Sequence, residues 1–168
     1  METRLALAAC VVLGCALCGR ATAEAARRRG CTLRALTDGL KVLRIHMTGM
    51  LEPVQSALVA ANCPLYSMVA EGMAGGRSAG EAWRSVRAAA LRRGGPGDAL
   101  SEADARVLDG LFDRLGESGR AEQGTLIGAT LESMEALRDQ AEKKAAEAGR
   151  LHMSLGLLVG LMLALIFV

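Results

Sequence analysis

Apolar residues recur with a helical period through the middle of the chain. Their steps of three and four place one apolar stripe on each helix that they predict. The first stripe consists of Leu33, Leu36, Leu40, Leu43, Met47 and Met50. Polar residues such as Arg34 and Lys41 fall between these positions. The pattern predicts a first helix that continues out of the N-terminal apolar run without a break and ends at Pro53.

Turn and capping signals divide the rest of the middle into further helices. A short segment with Val54 and Leu58 is followed by a helix that Pro64 opens. Capping boxes, in which a hydroxyl and a carboxylate satisfy free amides, start the next two helices. They are Ser78-Ala79-Gly80-Glu81 and Ser101-Glu102-Ala103-Asp104. The last soluble helix is predicted from about Arg120 to Gly149, and no strand pattern is sustained anywhere.

Both ends of the chain are apolar. Residues 151–168 contain no Asp, Glu, Lys or Arg, and as a helix they rise about 27 Å, close to the hydrocarbon thickness of a bilayer. Residues 5–19 rise only about 22 Å, which is marginal for crossing. The fold class expected is therefore all-α, a helical bundle of about five or six helices between two transmembrane helices.

Three interpretations of the N-terminal segment remain open. It is a signal anchor whose helix continues past Arg20, a cleaved signal peptide ending at Ala21-Thr22-Ala23, or a lipoprotein signal with Cys15 in a lipobox-like sequence. Basic residues flank the inner side of both apolar runs: Arg20, Arg27, Arg28, Arg29 and Arg34, then Arg138, Lys143, Lys144 and Arg150. The positive-inside rule favours a two-pass hairpin with its middle in the cytoplasm.

This hairpin sets the predicted domain boundaries. Residues 1–23 are an N-terminal transmembrane anchor with signal-like features, residues 24–149 a cytoplasmic helical bundle, and residues 150–168 a C-terminal transmembrane helix. Both termini are then expected on the far side of the membrane.

Composition excludes several function classes. Four aromatic residues in all are too few for the stacking platforms of single-strand binding proteins, so no nucleic acid is expected. Gly75-Gly76-Arg77-Ser78 lacks the Lys and the preceding strand of a phosphate-binding loop. Neither the two His nor the five Cys fall into a catalytic or zinc-binding spacing. No catalytic residue, metal, cofactor or small-molecule substrate is predicted, and the chain is not expected to be an enzyme.

Other polar residues receive structural interpretations. The acidic pairs Glu102/Asp104 and Asp109/Asp113 are expected on solvated helix faces. Residues 27–29 are expected to set the topology or to contact anionic headgroups. A disulfide between Cys31 and Cys63 would require export of the middle of the chain.

The order of motifs resembles the stage III sporulation protein AB family of endospore-forming bacteria over nearly the whole length. An N-terminal anchor and an Arg-rich stretch precede Leu33-Arg34-Ala35-Leu36, a Leu-rich helix and a helix start at Pro53-Val54. The element Ser78-Ala79-Gly80-Glu81-Ala82-Trp83 is intact, and Leu115-Gly116-Glu117-Ser118 is followed by Gln123. The chain departs from the family pattern at His46-Met47, where Glu-Ile is usual, and at Gly119, where Asp is usual.

The resemblance implies a function. Such proteins are similar to the cytoplasmic domain of the type II secretion platform protein F, and they belong to a channel complex between mother cell and forespore. By analogy the chain is a non-enzymatic membrane platform that couples a secretion-type ATPase, stage III sporulation protein AA, to that assembly. The implied location is the mother-cell membrane with the termini in the intermembrane space. The expected partners are other stage III sporulation proteins, membrane lipid and a second copy of the chain.

Five residues are candidates for partner interaction: Arg28, Arg34, Glu81, Trp83 and Gln123. The two arginines are the better candidates, because charges near the inner membrane surface have little role in a core. Glu81 and Trp83 also fit a purely structural role as a cap and a core residue. A rival function is an exported, tail-anchored or lipidated helical binding protein.

Overall fold

The computed structural model describes the backbone of residues 2–167 and the side chains of residues 21–147. Within that range the chain is all-α, with six α-helices, one π-helical turn and no strand. The α-helices are α1 (Glu2–Arg44), α2 (Val54–Ala60), α3 (Pro64–Gly72), α4 (Ala79–Leu91), α5 (Glu102–Phe112) and α6 (Arg120–Phe167). The all-α class and the number of helices are as predicted.

The chain divides into two compact units. One, the bundle unit, comprises residues 29–139, and the other combines residues 1–28 with residues 140–168. The two predicted membrane segments, residues 5–19 and 151–168, lie outside the residues whose side chains are described. Across residues 21–147, no helical segment is long and apolar enough to span a bilayer.

Capping boxes start α4 and α5 as the sequence predicts. The Glu81 amide donates to the Ser78 hydroxyl over 3.2 Å, and the Ser78 amide donates to the Glu81 carboxylate over 3.0 Å. In the same way, the Asp104 amide donates to the Ser101 hydroxyl over 3.3 Å, and the Ser101 amide donates to the Asp104 carboxylate over 2.8 Å. Each box satisfies two amides that the first helical turn leaves without partners.

The end of the first helix differs from the prediction. After Arg44 the helix widens into a π-helical turn, Ile45–Met50, and Leu51 then adopts a left-handed backbone with φ 62°. A π turn holds more residues than an α turn, so it rotates the apolar stripe away from the core. Leu33, Leu36, Leu40 and Leu43 are buried as predicted, but Met50 is 59% exposed. Its assignment to the buried stripe was therefore wrong.

An aromatic cluster forms the centre of the bundle unit. Tyr66 of α3 meets Phe112 of α5 edge-on, with ring centroids 6.1 Å apart. Trp83 of α4 also packs on Phe112, with ring centroids 5.1 Å apart. The Tyr66 hydroxyl donates to the Leu36 carbonyl over 3.0 Å, which ties the cluster to α1. Burial, together with the nearby Cys63 thiol, raises the pKa of Tyr66 well above its ordinary value.

The bundle unit has two recognisable ends. At the entry end, where α1 enters the unit at Arg29, this residue binds Asp104 and the loop of residues 92–101 folds against α1. At the far end, the π-helical turn and residues 51–53 lie beside the α5–α6 turn, residues 113–119. There Arg120 donates to the Thr48 carbonyl, and Val54 fills the space beside Gly116.

Candidate partner-interaction surfaces

The two candidate arginines lie on the exposed surface of α1. Arg28 forms an exposed ion pair with Glu24 one turn earlier, with 3.2 Å between its Nε atom and the carboxylate. The Arg34 side chain is also exposed, and its carbonyl accepts a hydrogen bond from the Thr37 hydroxyl at 2.8 Å. Exposure leaves both within reach of a second molecule, and their role in binding stays a prediction.

Glu81 and Trp83 lie next to each other in sequence but in different environments. Glu81 is exposed and closes the capping box of α4. Trp83 is 1% exposed, and its indole Nε1 donates to Asp109 over 2.6 Å. The structure therefore gives each residue the contacts expected of a cap and a core residue.

Gln123 closes the turn between α5 and α6. Its side-chain amide donates to the Arg114 carbonyl over 3.0 Å and to the Ser118 hydroxyl over 2.8 Å. Its side-chain oxygen accepts from the Gly116 amide at 3.1 Å. Gly119 has no side chain with which to cap α6, and Gln123 supplies the side-chain contacts that hold this turn onto the start of α6.

An ion pair that the sequence did not predict joins α1 to α5. The Arg29 guanidinium donates from Nε and Nη2 to the two carboxylate oxygens of Asp104, both at 2.7 Å. Asp104 is fully buried, so its expected place on a solvated face was wrong. Burial alone would raise the pKa of Asp104, but hydrogen bonds from Arg29 and Ser101 and attraction to the guanidinium outweigh it and lower the pKa.

Asp109 is partly exposed, in keeping with the expected solvated face, but it also has a structural role. It accepts from Trp83 and, at 2.9 Å, from Nε of Arg87. Arg87 reaches Glu102 as well, at 3.1 Å. These contacts hold α4 against α5. Glu102 and Asp113 are exposed as expected.

Large exposed apolar side chains concentrate at the far end. Those of the described part are Ile45, Met50, Leu51 and Val59, each 56–65% exposed. The first three belong to the π-helical turn and the residue after it, and Val59 lies on α2, which packs against that turn. We call these four residues the far-end patch. An open groove of about 780 Å³ lies at the same end of the bundle unit, lined among others by Arg44, Thr48, Arg120 and Gly124.

The two described cysteines are free thiols. Both border a cavity of about 260 Å³ at the entry end. Cys63 lies against Gly39 of α1, where an added Cβ would come within 3.3 Å of the Cys63 Cβ. Cys31 is eight residues earlier on the same helix, about 12 Å along its axis. A disulfide requires Cβ atoms about 4 Å apart, so this geometry does not allow the pair to form one.

The chain matches the stage III sporulation protein AB family over residues 4–168. Comparison with curated proteins and with solved structures gave no significant match. The family match covers nearly the entire length, including the residues that form both capping boxes, the aromatic cluster and the Gln123 turn. The chain therefore belongs to the stage III sporulation protein AB family.

Proposed function

We propose that this stage III sporulation protein is a non-enzymatic membrane platform of the channel complex between mother cell and forespore. In this role it couples a cytoplasmic secretion-type ATPase to the membrane assembly. The terminal apolar segments anchor it in the mother-cell membrane, and the bundle unit lies in the cytoplasm. Support comes from the family, from the apolar composition of both termini and from the basic residues on their inner flanks.

The observation that carries the coupling role is the far-end patch. Scattered apolar residues are common on protein surfaces, whereas a group of them indicates a contact site. Here three of the four large exposed apolar residues of the described part, Ile45, Met50 and Leu51, lie in or directly after the π-helical turn, at the end opposite Arg29. A cytoplasmic partner would therefore meet the end farther along α1 from the first anchor.

The backbone beneath the patch supports the same interpretation. Leu51 is a non-glycine residue at φ 62°, a conformation that costs about 1–3 kcal/mol. It follows a π-helical turn, a feature often found at functional sites. Contacts between His46 and Glu52, 2.9 Å between Nδ1 and the carboxylate, hold the two sides of this turn together. The fold thus maintains a strained backbone that exposes an apolar side chain.

Polar side chains inside the bundle unit contribute to its framework. Asp104 and Gln123 are buried and bind groups of the bundle itself. Trp83, Arg87 and Asp109 likewise bind one another. A platform needs such a rigid framework and an exposed contact surface, and no reacting group enters this proposal.

Partner capture with full-length protein tests the coupling role. The double variant Met50→Glu/Val59→Glu places two charges in the patch, and Ala88→Glu places one on an exposed position of α4 as the control. Extracted from membranes of sporulating cells, the wild type and Ala88→Glu are expected to retain a secretion-type ATPase that the double variant loses. Equal retention by all three, with equal thermal unfolding, would contradict the proposed contact.

Topology and processing are tested separately. Cys31 is exposed whereas Cys63 is 4% exposed, so Cys31 is the residue to label in intact cells. A membrane-impermeant thiol reagent is expected to leave Cys31 unmodified. Labelling would favour the rival, an exported tail-anchored or lipidated binding protein. Intact mass would then show loss of residues 1–23 or a lipid on Cys15.

A further inference from the structure

Two adjacent arginines follow the end of α4 without an ionic partner. Arg92 and Arg93 are both exposed, and neither forms an ion pair or a side-chain hydrogen bond with any described residue. A cation at a helix C-terminus gains from the helix dipole when it approaches the last carbonyls. Neither guanidinium donates to those carbonyls, so helix capping does not account for the pair.

The acidic residues around them are engaged elsewhere. Asp104 is bound to Arg29 and Glu102 to Arg87. Asp98, in the same loop, accepts from the Gly94 amide at 3.1 Å. Arg106 donates to the Glu102 carbonyl, a neutral group, and so keeps its charge uncompensated. The bond from the neutral Gly94 amide leaves the negative charge of Asp98 in place, but Arg92, Arg93 and Arg106 outnumber it, so the entry end of the bundle unit carries a surplus of positive charge.

The loop holds the two arginines in a defined place. The Gly95 amide donates to the Arg92 carbonyl over 2.8 Å, and the Gly97 amide donates to the Ala90 carbonyl over 2.9 Å. Pro96 borders the same small cavity as Cys31 and Leu36 of α1. The loop of residues 92–101 is thus folded onto the first turns of α1 within the bundle unit, although more than 40 residues separate it from the end of that helix in sequence.

We propose that Arg92 and Arg93 bind the phosphate headgroups of an anionic membrane surface. This contact rests on the proposed membrane placement. Nine residues lie between Gly19, the end of the first predicted membrane segment, and Arg29 at the entry end. Guanidinium groups bind phosphate with two parallel hydrogen bonds, and the attraction of an anionic leaflet extends about one Debye length, ~8 Å at physiological salt. The loop adds a second basic contact with the membrane to that of the anchor flanks.

Arginine footprinting in vesicles tests this contact. Full-length protein is reconstituted in phosphatidylcholine vesicles with or without phosphatidylglycerol, treated with phenylglyoxal and analysed residue by residue by mass spectrometry. In the anionic vesicles, modification of Arg92 and Arg93 is expected to slow about five-fold, which corresponds to ~1 kcal/mol per arginine at an anionic surface. Arg77, an exposed arginine at the start of α4, is the internal control and is expected to react equally in both vesicles.

The outcomes distinguish the headgroup contact of Arg92 and Arg93 from the membrane placement on which that contact rests. High salt is expected to abolish the difference, because it screens exposed charges. If phenylglyoxal modifies Arg92 and Arg93 at equal rates in the two kinds of vesicle, the headgroup contact is overturned. It is also overturned if millimolar glycerol phosphate slows the modification in neutral vesicles as much as the anionic lipid does. Release of the protein by alkaline carbonate would overturn the membrane placement together with the contact, whereas retention with equal rates would overturn the contact alone.

Discussion

Arg29 and Asp104 form a two-point ion pair across 75 residues of sequence, with both N–O distances at 2.7 Å. Asp104 also closes the capping box of α5. One carboxylate therefore fixes the start of α5 and attaches that helix to α1 where α1 enters the bundle unit. The Arg29 side chain is 17% exposed and that of Asp104 is fully buried, so the pair is largely removed from water.

Substitutions of Arg29 and of its neighbour Arg28 test how strongly the ion pair with Asp104 attaches α5 to α1. Arg29→Gln leaves the Asp104 carboxylate buried without its counter-charge, and we expect the free energy of unfolding to fall by about 3–5 kcal/mol. Arg28→Gln removes an exposed ion pair with Glu24 and should change the free energy of unfolding by less than about 1 kcal/mol. Denaturant unfolding of full-length protein in detergent, followed by circular dichroism, measures both. Similar losses in the two variants would contradict the structural role of Arg29.

Low pH should weaken the ion pair between Arg29 and Asp104. The pKa of Asp104 is lowered in the folded chain, so its contribution is present above the unfolded value of about 3.9 and is lost as pH falls through the folded value. We expect wild type to be more stable than Asp104→Asn at pH 7, and the difference to shrink below about pH 4. Denaturant midpoints measured from pH 7 to pH 2.5 test this prediction. A difference that stays constant over that range would show that the carboxylate charge does not stabilise the fold.

Two helical glycines should respond in opposite directions to alanine. A Cβ on Gly39 would lie 2.7 Å from Cε2 of the buried Tyr66 ring, and overpacking of this kind costs about 1–3 kcal/mol. A Cβ on Gly110 of α5 would meet nothing within 4 Å, so Gly110→Ala should stabilise the chain by about 1 kcal/mol through helix propensity. Thermal unfolding measures both changes. Stabilisation by Gly39→Ala would contradict the close approach of α1 and α3.

Gln123 should act on stability through the turn it closes. Gln123→Ala leaves the Arg114 carbonyl and the Gly116 amide without their side-chain partner, and we expect a loss of about 1–3 kcal/mol. Gln140→Ala, at an exposed position of the same helix, is the matched control and should be nearly neutral. Unfolding measurements and partner capture on both variants separate the two roles. A stable Gln123→Ala protein that has lost its partner would assign Gln123 to binding instead.

The local features of the fold were predictable because short-range rules determine them. The serine capping boxes, Pro64 at the start of α3 and the leucine stripe of α1 each depend on neighbours within a few residues. The π-helical turn was not predictable, since Pro53 gave the only stop signal and the widened turn precedes it. As a result Met50 was placed on the apolar stripe of the first helix although its side chain is exposed.

The long-range polar contacts were also beyond sequence reasoning. Asp104 fits a capping box in sequence, but nothing near it indicates that Arg29 neutralises it. Asp109 is four residues from Asp113, a spacing typical of a solvated helix face, yet it meets Trp83 and Arg87 of another helix. Pairing of this kind depends on how helices pack against one another, which helical periodicity does not specify.

Site-specific photo-crosslinking at Met50 in sporulating cells tests the platform role most directly. A photoreactive residue at this position lies in the far-end patch, and one at Ala88 of α4 provides the control on an exposed surface outside it. We predict a crosslink from position 50, and none from position 88, to a secretion-type ATPase of the stage III sporulation group. No crosslink from position 50, or equal crosslinks from both positions, would contradict the proposed coupling.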